Sequence, residues 1–145
     1  MSDRFPSRRW TDVAVATVVL LVASVLPSPL GRHPEWGRVG PDKLLHLVGH
    51  AGYAVLLADA FGAGRWRDRD AAVLAACVSA VHGLLVGRLQ RWVPGRAFEP
   101  ADAVAGLVGA VVGAVGWYVA SGPRATDAGG RDPDPHRGSS VEPRR

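Results

Sequence analysis

Ala103–Pro123 reads AVAGLVGAVVGAVGWYVASGP, 21 residues without a single Asp, Glu, Lys or Arg. The hydrocarbon core of a bilayer is roughly 30 Å thick, and about 20 apolar residues coiled as helix cross it. Three more stretches lack charge: Val13–Gly31 (19 residues), Leu44–Ala58 (15) and Ala71–Gly87 (17). Helices of a soluble bundle would show a charged face every three or four residues. These segments are apolar nearly all round. The mean hydropathy of +0.09 hides this because the charges gather between the segments and at both ends. The expectation is an all-α polytopic membrane protein, a four-helix transmembrane bundle. A lone cysteine, Cys77, excludes a disulfide-stapled secreted scaffold, and amid Ala and Val it reads as an inert thiol.

Punctuation sets the boundaries. Residues 1–10 form a basic arm with Arg4, Arg8 and Arg9, ending on Trp10, a residue suited to a membrane interface. Spans are expected at about 11–26, 43–61, 70–93 and 101–120, together one domain over 11–120. Pro27 and Pro29 stop the first, and Pro94-Gly95 stops the third. Residues 121–145, rich in Gly, Pro, Asp and Arg, hold too little apolar surface to fold and read as a disordered tail. Ser7-Arg8-Arg9 before an apolar run resembles an export signal. However, Thr11 and Asp12 interrupt it and no small-residue cleavage pair precedes Leu26-Pro27, so a retained first helix is expected.

Basic residues resist translocation. With the N-terminus inside, nine of the basic residues near the spans fall on the cytoplasmic side (Arg4, Arg8, Arg9, Arg65, Arg67, Arg69, Arg124, Arg131, Arg137). Six fall outside (Arg32, Arg38, Lys43, Arg88, Arg91, Arg96). This predicts a multi-pass protein of the cell membrane with both termini cytoplasmic. In that arrangement Asp42, Lys43 and His46 open the second span, Arg88, Gln90 and Arg96 close the third, and Glu99 and Asp102 open the fourth. All lie at the outer face.

Lys43, His46, His50 and Tyr53 follow the i, i+3, i+7, i+10 spacing of one helix face. At 1.5 Å per residue they descend about 15 Å. Ser79, His82, Val86 and Gln90 share a face of the third span, with His82 about 12 Å below Gln90. His50 and His82 are thus expected to meet inside the bundle. Ionisable side chains at such depth are costly and point to function. The stripe Asp102, Gly106, Gly109, Gly113 and Gly116, with Gly83 and Gly87 on the third span, reads as small-residue packing. Arg88 and Arg91 are expected to snorkel to head groups, and Asp59 to pair with Arg65 or a neighbour in the arginine turn.

His46 and His50 have the i, i+4 spacing of zinc ligands, with His82 and Asp102 as further donors. Position 47 is Leu where a metalloprotease would carry its glutamate base, so neither metal nor another cofactor is expected. The residues assigned to ligand binding are Asp42, Lys43, His46, His50, Gln90, Arg96 and Asp102, with His46 and His82 as candidate general bases. The expected partners are membrane lipids and an anionic or glycopeptide-type ligand at the outer face, and no nucleic acid.

Pro41-Asp42-Lys43-Leu44-Leu45-His46 resembles the D-K-x-x-H opening of a span in VanZ-like membrane proteins. Gln90, then Pro94-Gly95-Arg96, then Asp102, Gly109 and Gly113 are similar to that family's later block, E-x-x-Q, P-x-R and D-x-x-x-N-x-x-G-x-x-x-G. The likeness covers about residues 41–117. Gly87 stands where the family has its acidic residue, and Gly106 where it has asparagine. The family is named for low-level resistance to teicoplanin, so the resemblance implies an outward-facing site in the cell envelope. The leading expectation is a non-enzymatic binding protein. The alternatives are a small intramembrane enzyme acting on a lipid-linked group and a structural assembly subunit.

Overall fold

In a computed structural model, the described residues are 5–25, 40–93 and 99–122, and they form four helices with no strand among them. Helix α1 is Phe5–Val25, α2 Pro41–Gly62, α3 Asp68–Gln90 and α4 Pro100–Ser121. Three of them, α2, α3 and α4, are long and apolar enough to cross a membrane. Helix α1 takes in residues 5–10, so the expected basic arm is helical from Phe5 onward. A proline at position 6 fits there because the first turn needs no N–H from it. Helix α3 stops at Gln90, and residues 91–93 continue as turns rather than span. The tail beyond residue 122 and Arg96 lie outside the described residues.

Prolines also open α2 and α4, where a fixed φ and a missing N–H cost nothing. Asp42 and Asp102 sit in those same first turns, next to the positive ends of the helix dipoles. Helices α2 and α4 pack most extensively. Their close approach follows from Gly109 and Gly113, whose missing Cβ atoms leave room for the Leu47 and Ala51 backbone carbonyls. Helix α3 covers that pair, and α1 lies against α2 and α3, its Leu20 set into the notch at Gly49.

The distribution of side chains is inverted relative to a water-soluble bundle. Outward positions carry Val18, Val48, Leu85, Val112 and Val119, all more than half exposed, while the interior is built largely of Ala54, Ala58, Ala71, Ala75, Ala110 and Ala114. Only about a third of each apolar window is buried inside the protein. Water would not tolerate so continuous an apolar coat, whereas lipid matches it and leaves small residues to drive helix association. The chain is a membrane protein. Trp10 stands edge-on to Phe61 with ring centroids 5.5 Å apart, while Trp92 is exposed at the opposite end of the bundle. That placement fits aromatic anchors at two interfaces.

The interior has two halves. Toward the α2–α3 turn it is apolar: Leu57, Ala58, Ala71, Ala72, Ala75, Ala114 and Trp117. Toward the start of α2 it holds the buried polar residues His50, Ser79 and Gln90.

Candidate functional site

The start of α2, the end of α3 and the start of α4 meet at one end of the bundle. A narrow cleft there is lined by His46, His50, Gly87, Gln90, Glu99 and Asp102, among others, and its volume of about 10 Å³ is room for roughly one water molecule. The ends of three helices supply these groups because each helix starts or stops on a polar cluster at that level.

Lys43 is the electrostatic centre of the mouth. Its Nζ donates to Glu99 Oε2 at 3.4 Å and lies 3.6 Å from Asp42 Oδ2 and 3.8 Å from Asp102 Oδ1. The carboxylate oxygens of Asp42, Glu99 and Asp102 lie within 4.8 Å of one another, close enough to share a cation. The Lys43 ammonium fills that role. His46 Nε2 is 3.7 Å from Asp102 Oδ2, an ion pair when the ring is protonated and too long for a strong hydrogen bond. Asp102 Oδ1 is buried and accepts no hydrogen bond among the described residues, so the site holds an unused acceptor.

Deeper in, His50 is buried with its ring wedged between Gly83 and Gly106. A Cβ on Gly83 would come within 2.9 Å of the ring, and one on Gly106 within 3.0 Å. Gly106, where the family-like pattern has asparagine, is therefore a seat for the imidazole. His50 Nδ1 lies 3.1 Å from Ser79 Oγ, and Ser79 Oγ lies 3.1 Å from the His50 carbonyl oxygen. A hydroxyl has one proton to give. Ser79 donates it to the carbonyl, so Nδ1 must carry the imidazole proton and Nε2 is left bare, between Gly83 and Gly106 where they line the cleft.

His50 stacks on His46 with centroids 6.4 Å apart and planes 12° apart, and His82 stands 5.8 Å from it, as the helical spacing predicts. Tyr53 follows at 5.1 Å from His82. The Tyr53 hydroxyl is 2.8 Å from Thr17 Oγ1, which itself donates to the Val13 carbonyl, so the tyrosine is the donor.

The structure thus brings Asp42, Lys43, His46, His50, Gln90 and Asp102 to one end. Gln90 is buried, and its Nε2 donates to the Ser24 carbonyl at 3.0 Å, tying α3 to α1 as well as lining the cleft. Glu99 belongs to the site although the sequence reading did not assign it to ligand binding. Its position three residues before Asp102 places both carboxylates on one side of the α4 start. Ser79 and Thr17 acquire their roles only through partners on other helices. Asp59 pairs with Arg9 at 3.2 Å, across from α1, and not with the arginine turn expected from sequence. Arg9 reaches it because α1 begins early enough to set residue 9 beside the end of α2, where it also caps the Asp59 carbonyl. Arg88 and Arg91 are exposed at the rim, in keeping with snorkelling.

The chain matches no family model, no curated protein and no solved structure.

Proposed function

We propose that this is a four-span protein of the cell membrane that binds a polar head group at an outward-facing vestibule. The observation that carries the reading is the meeting of Asp42, Lys43, His46, Glu99 and Asp102 at one end of the bundle, above a buried histidine. Helix α1, with 21 residues and about 31 Å of length, serves as the first span. The arginine count puts both termini in the cytoplasm and the vestibule outside. The resemblance to VanZ-like proteins over residues 41–117 supports the same sidedness and a role in the cell envelope, including glycopeptide tolerance.

Electrostatics narrow the ligand. Three carboxylates face one lysine at the mouth, so a purely anionic group meets repulsion there. A head group bearing both charges suits the site. Its ammonium is held by the carboxylates and its phosphate or carboxylate by Lys43. With room for about one water inside, the cleft admits the tip of a head group and leaves the remainder at the rim.

The test uses the full chain in nanodiscs, with phosphatidylethanolamine, phosphatidylglycerol and teicoplanin as probes and native mass spectrometry as readout. Preferential retention of phosphatidylethanolamine that is lost in Asp102→Asn and Lys43→Gln supports the reading. Equal retention of all probes by wild type and by both folded variants refutes it.

A second reading rests on the 3.7 Å approach of His46 to Asp102. In it His46 acts as general base toward a lipid-linked group, oriented by Asp102. Release of a lipid-derived product that requires His46, and falls in Asp102→Asn, would select it over simple binding.

A further inference from the structure

The rings of His46, His50, His82 and Tyr53 stand in file from the vestibule into the bundle, with successive centroids 6.4, 5.8 and 5.1 Å apart. Packing alone would be served by Leu or Phe, which carry no polar atoms to satisfy. Here His82 Nδ1 is buried and has no hydrogen-bond partner among the described residues, which costs free energy that an apolar side chain would not. His50 Nε2, bare by the tautomer argument, faces the cleft. One turn below Tyr53 on the same helix face is Leu57, and with it the buried side chains become Ala58, Ala71, Ala75 and Ala114. The polar file therefore opens at one end only. Chains of Asp and His inside membrane proteins are the usual carriers of protons.

We propose that His50 and His82 form an internal proton site, filled from the vestibule by way of Asp102 and His46 and closed toward the other face by the plug of Leu57 and alanines. A proton arriving on His46 passes across one water to the lone pair of His50 Nε2, and His46 returns to neutral. His50 then hands a proton to His82 Nδ1, and His82 ends as the imidazolium. Only N–H bonds are made and broken, and one charge moves inward.

Each packed element contributes to the surroundings of the pair. Helix α2 brings His46, Tyr53 and, at the mouth, Asp42 and Lys43. Helix α3 brings Ser79 and Gln90, and α1 brings Thr17, held by Tyr53. Helix α4 brings Asp102 and Glu99 at the mouth and glycine below them. The carboxylates at the mouth gather protons, and the glycine wall seats the His50 ring beside the cleft. The inference stands whether or not the vestibule also binds a head group.

The test opens the plug. The full chain is reconstituted into phosphatidylethanolamine/phosphatidylglycerol vesicles holding a pH-sensitive dye, and a potassium diffusion potential drives proton entry. Wild type is expected to be as tight as protein-free vesicles. Leu57→Asn, which extends the polar file by one turn, is expected to raise proton entry at least tenfold while the vesicles still retain carboxyfluorescein. Adding His82→Gln or His50→Gln should return entry to within about twofold of wild type, whereas adding Leu84→Ala on the lipid-facing side should leave it high. Where Leu57→Asn does not fold, Ala75→Ser supplies a polar group to the same plug. A leak that survives both histidine replacements overturns the proposal, as does tightness in every folded plug variant.

Discussion

A single methyl group added at Gly109 or at Gly116 is expected to move stability in opposite directions. Both residues lie on α4, and one stripe of small residues contains them. At Gly109 the new Cβ would fall 2.8 Å from the Leu47 carbonyl carbon and 3.0 Å from its Cα, with the carbonyl oxygen closer still. At Gly113 it would fall 2.8 Å from both the carbonyl carbon and the Cα of Ala51. Ordinary contact begins at 3.4 Å, and what stands in the way is backbone, which cannot rotate aside. Helices α2 and α4 would have to separate by roughly 1 Å along their main contact, an overpacking cost of about 1–3 kcal/mol. Replacing glycine by alanine within a helix returns up to about 1 kcal/mol of propensity. Gly116 meets nothing within 4 Å, so there the propensity gain stands alone. The propensity gain is common to both, so Gly109→Ala should be less stable than Gly116→Ala by the overpacking cost, about 1–3 kcal/mol, some 5- to 150-fold in the folding equilibrium. Reversible unfolding by sodium dodecyl sulfate in bicelles, followed by far-ultraviolet circular dichroism, measures this. Gly113→Ala should group with Gly109→Ala. Indistinguishable values for the three variants would refute the α2–α4 packing described above.

Other expectations follow from the polar contacts. Ser79→Ala leaves the buried His50 Nδ1–H without its acceptor and should cost about 1–3 kcal/mol by the same unfolding assay, with nitrogen-15 spectra showing His50 shifting away from a single tautomer. Lys43→Met removes the cation shared by three carboxylates. Since these groups are partly exposed, the loss should be about 1 kcal/mol, and millimolar magnesium should restore the thermal midpoint by taking the ammonium's place. Arg9→Ala breaks a pair whose side chains are about 40% exposed, so a loss below about 1 kcal/mol is expected; a larger one would show that α1 is held chiefly by this contact. Thiols placed at positions 40 and 66, after removal of Cys77, should label from opposite sides of sealed vesicles. Labelling of both from one side would refute the transmembrane placement of α2.

Much of the fold was legible in the sequence because the bilayer imposes a strong rule. Uncharged runs must be helical to satisfy their backbone, and their length must match the hydrocarbon core. Helical spacing alone put Lys43, His46, His50 and Tyr53 on one face, and the depth of His82 relative to Gln90 anticipated its meeting with His50. The glycine stripe announced a close helix contact. It did not say that Gly116 stands outside that contact, since a stripe has the same spacing along its whole length whereas two crossing helices touch over only part of it.

Composition and helical period are enough to settle the helical, membrane-embedded class of this protein and the clustering of its polar groups at one level. Which groups pair depends on how the helices dock. Ser79 with His50, Glu99 with Lys43, Tyr53 with Thr17 and Arg9 with Asp59 each join different helices. Periodicity fixes the azimuth and depth of a side chain on its own helix. The relative rotation and offset of neighbouring helices are set by how their small residues interlock, and that information resides in no single segment.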